Sequence, residues 1–175
     1  WMLVMRREWA ADPADVVARV IDTLGLPVFV KPSNLGSSVG ISKAKDVNGL
    51  RDAIALAAEY DRKIVIEAAI PHAREIEVAI LGNDTPDASV PGEIVPDREF
   101  YDYDSKYSAD SRTELFIPAR VDSAVAQDVR RLGIAAFQAV DAAGLARVDF
   151  FLEMSFKRPP VTEIYTIPGF TSISM

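Results

Sequence analysis

Apolar residues in the first third of the chain recur twice at helical spacing. Val16, Val17, Val20, Ile21 and Leu24 fall three and four apart, and Leu50, Ile54 and Ala57 or Ala58 repeat the pattern. Asp12-Pro13 offers an N-cap with proline at the first helical position, Asp15 suits the first turn, and Gly25 gives a stop. Asp46 is placed to cap the second helix, which the pattern carries to Tyr60. Between them Leu26 to Lys31 reads as a strand, with Ile41 to Lys43 as its return, and Lys63 to Glu67 reads as a buried strand ending in a carboxylate. Ala68 to Ala73 reads as a linker. Beyond it Glu75 to Leu81 alternates, with Ile76, Val78 and Ile80 on one face and Glu75, Glu77 and Ala79 on the other. Ala88 to Val95 is a further strand interrupted by Pro91-Gly92, and residues 97–112 form a polar, tyrosine-rich loop. Asp122 or Ser123 caps a long helix carrying Val125, Val129, Leu132, Phe137 and Val140, ended near Gly144. Leu145 to Leu152 and Val161 to Tyr165 are the closing strands. Strands with hairpin-like neighbours, mixed with helices, predict an α+β fold more than a doubly wound parallel sheet.

Composition narrows the class. With 175 residues, the chain is long enough for one large or two small domains with a real core. A hydrophobic content of 49% beside 26% charged residues describes a globular chain, and no apolar run approaches membrane-spanning length. The absence of cysteine argues against a disulfide framework and thiolate metal sites, and makes a cytoplasmic location the expectation. A net charge of −7 argues against nucleic acid as the main partner. The single histidine, His72, falls in the linker, so no histidine-based triad is available. A first residue of Trp rather than Met reads as part of a longer protein.

Chemistry concentrates in three places. The strand ending at Lys31 runs into Pro32-Ser33-Asn34-Leu35-Gly36-Ser37-Ser38-Val39-Gly40. Gly36 and Gly40 allow sharp turning, successive backbone N–H groups can cradle an anion, and Lys31 adds a cation. The stretch alone supports equally an anion cradle and an ordinary glycine-containing hairpin, and it lacks the Gly-Lys-Ser/Thr triplet of a Walker loop. On the strand Leu145 to Leu152, Arg147, Asp149 and Phe151 share one face, opposite Ala146, Val148, Phe150 and Leu152. Such a face lines a cleft or carries a solvated ion pair. Val161, Glu163 and Tyr165 share a face of the next strand, so Asp149 and Glu163 are expected side by side, where hard carboxylate oxygens suit Mg²⁺. The third place is Phe100-Tyr101-Asp102-Tyr103-Asp104-Ser105-Lys106-Tyr107, a loop of the kind that forms lids or binding loops.

Five motifs in order carry a resemblance to the D-alanine–D-alanine ligase family of the ATP-grasp superfamily. They are Val30-Lys31-Pro32 with Gly36-Ser37-Ser38-Val39-Gly40, Arg74-Glu75-Ile76-Glu77, Phe100-Tyr101-Asp102-Tyr103 with Lys106-Tyr107, Ala146-Arg147-Val148-Asp149-Phe150-Phe151, and Glu163 with Thr166-Ile167-Pro168-Gly169-Phe170-Thr171. The resemblance implies an ATP-grasp fold in which two α+β subdomains clamp ATP, with the family's N-terminal domain absent from this chain. Residues 1–67 would form the central subdomain with its phosphate-binding flap, and residues 68–175 the C-terminal one with a mobile loop at about 97–112. Two D-alanines would be joined through an acyl phosphate, for peptidoglycan precursor synthesis. Other readings within reach are another ATP-grasp carboxylate–amine ligase and a non-catalytic ATP-binding module.

The family's roles transfer by position. Lys31, Ser38 and Lys106 would hold ATP phosphates, Glu67, Ala68 and Ile70 would meet the adenine, Glu75 the ribose, and Phe100 and Phe151 would enclose the purine. Ser37 and Tyr107 would close the loop over the first D-alanine, Arg147 and Gly169 would stabilise the oxyanion, and Ser174 would bind the second carboxylate. Asp149 and Glu163 would ligate one or two Mg²⁺, with Mn²⁺ as a substitute. Tyr165 stands where the family usually places an asparagine ligand, and a phenol is a poor substitute. The resemblance also implies a homodimer.

Overall fold

The computed structural model describes residues 1–36, 38–96, 113–153 and 158–169. Two compact units emerge, the division falling between Ala69 and Ile70. In the first, β1 (Met2–Met5), β2 (Val28–Pro32), β3 (Ser42–Ala44) and β4 (Lys63–Ala68) form an antiparallel sheet in the order β1-β4-β2-β3. Helices α1 (Arg6–Ala11), α2 (Pro13–Leu24) and α3 (Val47–Tyr60) accompany it. Val28 and Val30 of β2 and Ile64 and Ile66 of β4 are fully buried in one core with Val16, Val17 and Val20 of α2 and Leu50, Ala53, Ile54 and Ala57 of α3. Each such valine, leucine or isoleucine side chain contributes about 1.5–3 kcal/mol. Strand alternation therefore sends Phe29, Lys31 and Glu67 to the opposite face.

Two of the three expected caps form, while Asp122 stands at the start of the long helix without a side-chain cap bond. Asp12 accepts from the amides of Ala14 and Asp15, both at 3.0 Å, and Asp46 accepts from Gly49 N at 2.8 Å. Strand β1 and helix α1 were not legible in the pattern. A six-residue helix is too short to show a period, and here Glu8 holds it by reaching back 2.7 Å to the amide of Met5.

The second unit is a larger antiparallel sheet in the order β10-β9-β5-β7-β8, with β6 beside β5. Its strands are β5 (Arg74–Gly82), β6 (Asp87–Ala88), β7 (Gly92–Val95), β8 (Glu114–Phe116), β9 (Gly144–Leu152) and β10 (Val161–Thr166). The interruption expected within Ala88 to Val95 separates β6 from β7, with Gly92 already in β7 and Pro91, which has no N–H for the ladder, outside both. Helix α4 (Ser123–Ala139) covers one face, burying Val129 and Phe137 with Ile76, Val78, Ile80, Ala146, Val148 and Phe150. The helix lies close at Gly133, where an added Cβ would come within 2.8 Å of Val78 Cγ1. It stops at Ala139, earlier than the apolar pattern suggested.

An ion triad centred on buried Glu93 pins β5 to β7 and to the chain after β8. The Glu93 side chain, 2% exposed, accepts from Arg74 Nε at 2.8 Å and from Arg120 Nε at 3.2 Å. The bond from Arg74, against the opposing pull of burial, lowers its pKa from 4.5 to about 2. Among the described residues no helix is long and apolar enough to cross a membrane.

Candidate functional site

In the first unit the functional side chains lie on the sheet face turned away from the helical core. Lys31 near the end of β2 and Glu67 on β4 form an ion pair at 2.9 Å. Phe29 sits directly across from Glu67 on one side and from Lys43 on the other, with the Lys43 ammonium 5.5 Å from its ring. Ala68, expected at the adenine with Glu67, is the exposed last residue of the same strand. A cation and a carboxylate beside an aromatic surface are suited to a polyanionic ligand with a flat ring.

Beyond Lys31 the chain makes the compact turns that its glycines suggested. Val39 N donates to Gly36 O and Ile41 N to Ser38 O, both at 3.2 Å. Ser38 takes a left-handed φ of 61° and Gly40 one of 72°. Gly40 has no alternative, since a Cβ would lie 2.7 Å from Tyr60 Cδ2 and 2.9 Å from Pro32 Cγ.

In the second unit the face opposite α4 carries a row of carboxylates. Register places Glu77 of β5 directly across from Asp149 of β9, and Asp149 directly across from Glu163 of β10. One step along, Ala79, Arg147 and Tyr165 form the next row. Arg147 grips Asp149 with a two-pronged bond, Nε to Oδ1 and Nη2 to Oδ2, both 2.7 Å, and its Nε lies 3.2 Å from Glu77 Oε2. Burial works against the guanidinium charge, yet the Asp149 bond and the charges of Asp149, Glu77 and Glu163 raise its pKa further above the usual range. Arg147 is thus a permanent cation held rigidly in an acidic row. Glu75 and Phe151 face each other across β5 and β9 one step the other way.

These placements meet the expectation for Asp149 and Glu163, which are cross-strand neighbours. They fit a hard divalent cation, since Glu163 is exposed and each Asp149 oxygen, although it accepts from Arg147, keeps a second lone pair, with water or ligand oxygens completing the shell. Among the described residues no cluster of three or more His, Cys, Asp or Glu side chains forms a fuller metal cage. Tyr165 adds no ligand there. Its ring lies 5.7 Å from the Arg147 guanidinium carbon, and the residue is 45% exposed. Gly169 lies exposed beyond β10, after Ile167 turns the chain at a φ of 50°. Ile70 opens the second unit outside any strand. Ser37, Phe100, Lys106, Tyr107 and Ser174 lie outside the described residues.

A cavity of about 190 Å³ opens beside Arg147, lined by Glu77, Ala79, Ser89, Val90 and Ile117. It pairs a guanidinium and a carboxylate with small apolar walls. Sequence reasoning quoted Glu77 only as part of a motif and missed its bond to Arg147. The signal was available, since Glu75 and Glu77 alternate onto the charged face. Asp61, between the helix and the next strand, carries no pattern of its own, yet its carboxylate holds the start of the glycine loop through Asn34.

The family described as D-ala D-ala ligase C-terminus matches residues 1–175. A D-alanine–D-alanine ligase of Chloroherpeton thalassium is 52% identical over 175 residues, covering all of this chain and 47% of that protein. One from Deinococcus radiodurans is 49% identical, covering all of this chain and 51% of that protein. Among solved structures, the VanG D-Ala:D-Ser ligase of Enterococcus faecalis superposes with a TM-score of 0.83 at 31% identity, covering 99% of this chain and 48% of that one. The D-alanine–D-alanine ligase of Coxiella burnetii gives 0.78 at 34% identity, covering 100% and 44%. The chain spans about half the length of the curated relatives it matches.

Proposed function

The chain belongs to the D-alanine–D-alanine ligase family, and from that premise we propose that it forms the nucleotide- and metal-handling part of an ATP-dependent enzyme joining two D-alanines. The fold is the α+β ATP-grasp fold of the family's solved structures. The observation that carries the proposal is the acidic row with its embedded cation: Glu77, Asp149 and Glu163 side by side, with Arg147 forked onto Asp149.

In this reading Lys31 and Ser38 hold ATP phosphates, Glu67 and Ala68 meet the adenine, and Glu75 takes the ribose. Phe151 lies against the purine. Mg²⁺ bound by Asp149 and Glu163 would neutralise phosphate charge during transfer. The first D-alanine carboxylate takes the γ-phosphoryl group to give an acyl phosphate and ADP. The second D-alanine's amine then attacks the activated carbonyl, and phosphate leaves. Arg147, with the Gly169 amide, stabilises the negative charge that gathers on the carbonyl oxygen. Because Asp149 and Glu77 already orient the guanidinium, little reorganisation is needed when that charge appears. The small cavity beside Arg147, with a cation, a carboxylate, Val90 and Ile117, suits a zwitterion with a methyl side chain. Ser37 and Tyr107 close the loop over the first substrate, Lys106 reaches the phosphates, Phe100 and Ile70 border the purine, and Ser174 takes the second carboxylate. The enzyme acts in the cytoplasm as a homodimer.

Phosphate release from ATP by the full-length protein, with Mg²⁺ and D-alanine, tests the reading. D-serine and D-lactate arms test the second substrate. D-alanine-dependent release with a dipeptide product is expected. ATP binding without any release would establish a non-catalytic nucleotide module instead, the outcome that Tyr165 beside Arg147 would then explain.

A further inference from the structure

Two consecutive residues at the end of α3 touch both ends of the glycine loop. At the loop's entry, Asp61 Oδ2 accepts from the Asn34 amide at 2.9 Å and from Asn34 Nδ2 at 2.7 Å. Its Oδ1 accepts from Lys63 N at 3.1 Å, so both carboxylate oxygens are engaged. At the loop's exit, the Tyr60 ring lies against Gly40 so closely that a Cβ there would be 2.7 Å from Cδ2. The turn is itself fixed. Asp61 N donates to Ala57 O at 3.1 Å, its carbonyl accepts from Arg6 Nε at 3.2 Å, and Arg6 N donates to Arg62 O at 2.9 Å. Upstream, Leu50, Ala53, Ile54 and Ala57 fasten α3 into the core.

We propose that Tyr60 and Asp61 form a two-point clamp on the glycine loop, with Asp61 a positioning residue that presets the loop's backbone for nucleotide phosphates. The inference rests on the nucleotide reading above and adds to it the element that holds the loop in shape. The physical need is clear. Ser38 in the left-handed region is locally strained, and backbone N–H groups bind an anion well only when already aimed. Asp61 is 8% exposed, and its carboxyl lies below the usual carboxylate range, chiefly through the Lys63 amide and then the two Asn34 donors. An unpartnered carboxylate is what this position could not tolerate; a fully bonded one makes a stiff strut. Asparagine at this position would have one acceptor oxygen where aspartate has two, and an NH₂ facing a donor.

The test compares Asp61→Asn with Asp46→Asn in the full-length protein. Asp46 caps the other end of the same helix through Gly49 N, and asparagine keeps that cap, so Asp46→Asn removes the same charge from α3 without touching the loop. ATP KM, D-alanine KM, kcat at saturating ATP and hydrogen exchange at the Val39 and Ile41 amides are measured. Asp61→Asn is expected to raise ATP KM about tenfold and speed exchange at both amides, with D-alanine KM and kcat within about twofold. Asp46→Asn should leave ATP KM unchanged. An unchanged ATP KM in Asp61→Asn, or an equal rise in Asp46→Asn, overturns the clamp as a positioning device. A parent protein that binds no ATP overturns the nucleotide reading and the phosphate role together. In that case faster loop exchange in Asp61→Asn alone would still uphold the mechanical clamp, and unchanged exchange would overturn it.

Discussion

Replacing Glu93 by glutamine should remove the one charge that is buried among the described residues of the second unit while keeping its shape. The magnitude follows from the pKa, which falls from 4.5 to about 2 on folding. A lowered carboxylate pKa means stability that is present above the unfolded value and lost as pH falls through the folded one. At about 1.4 kcal/mol per unit, the charged form contributes about 3 kcal/mol at pH 7. Arg74 and Arg120 keep 40% and 55% of their side chains exposed and can turn toward water when the charge is gone. Glutamine also retains one acceptor for Arg74, so about 2–3 kcal/mol is the expected loss. Urea denaturation followed by far-UV circular dichroism, from pH 7 to pH 3, reads it. Both tryptophans, Trp1 and Trp9, lie in the other unit, so their fluorescence is the wrong probe. The gap between parent and Glu93→Gln should shrink by about 2 kcal/mol between pH 7 and pH 3, because Glu93 takes up its proton in the unfolded parent while the folded one stays charged. A gap below about 0.5 kcal/mol at pH 7, or one that stays constant with pH, would refute the argument, since a charge-dependent contribution cannot survive loss of the charge.

Gly40→Ala combines a left-handed φ with a side-chain collision, and about 2–4 kcal/mol of strain should appear as lower stability or as a weaker ATP KM. Wild-type values for both would show that the loop has room that the structure denies it. Arg147→Ala should cut phosphate release at least about 100-fold while ATP affinity stays within about threefold; loss of ATP binding instead would move Arg147 from the acyl chemistry to the nucleotide. Phe137→Ala, at a fully buried position under the second sheet, should lower stability by about 3–5 kcal/mol, read by thermal melting. A loss under 1 kcal/mol would mean that α4 does not pack as described.

The sequence by itself determined the elements that have a strong period and the residue faces that go with them. Alternation along Arg147, Asp149 and Phe151 assigned the charged face correctly because strand geometry allows only two faces, and one was plainly apolar. The same logic placed Glu163 beside Asp149, since neighbouring strands in an antiparallel sheet bring same-face residues together. The caps at Asp12 and Asp46 were legible because their bonds are local. What the sequence could not determine was any contact whose partner lies far along the chain and whose energy depends on burial. Glu93 reads as an ordinary surface glutamate until β7 is paired with β5, when Arg74 and Arg120 close over it. Glu77 becomes a partner of Arg147 only through the β5–β9 register. Asp61 reads as a turn residue between a helix and a strand. Only the packing of α3 against the sheet brings it to Asn34, because a single carboxylate carries no periodic signal of which distant amide it will meet.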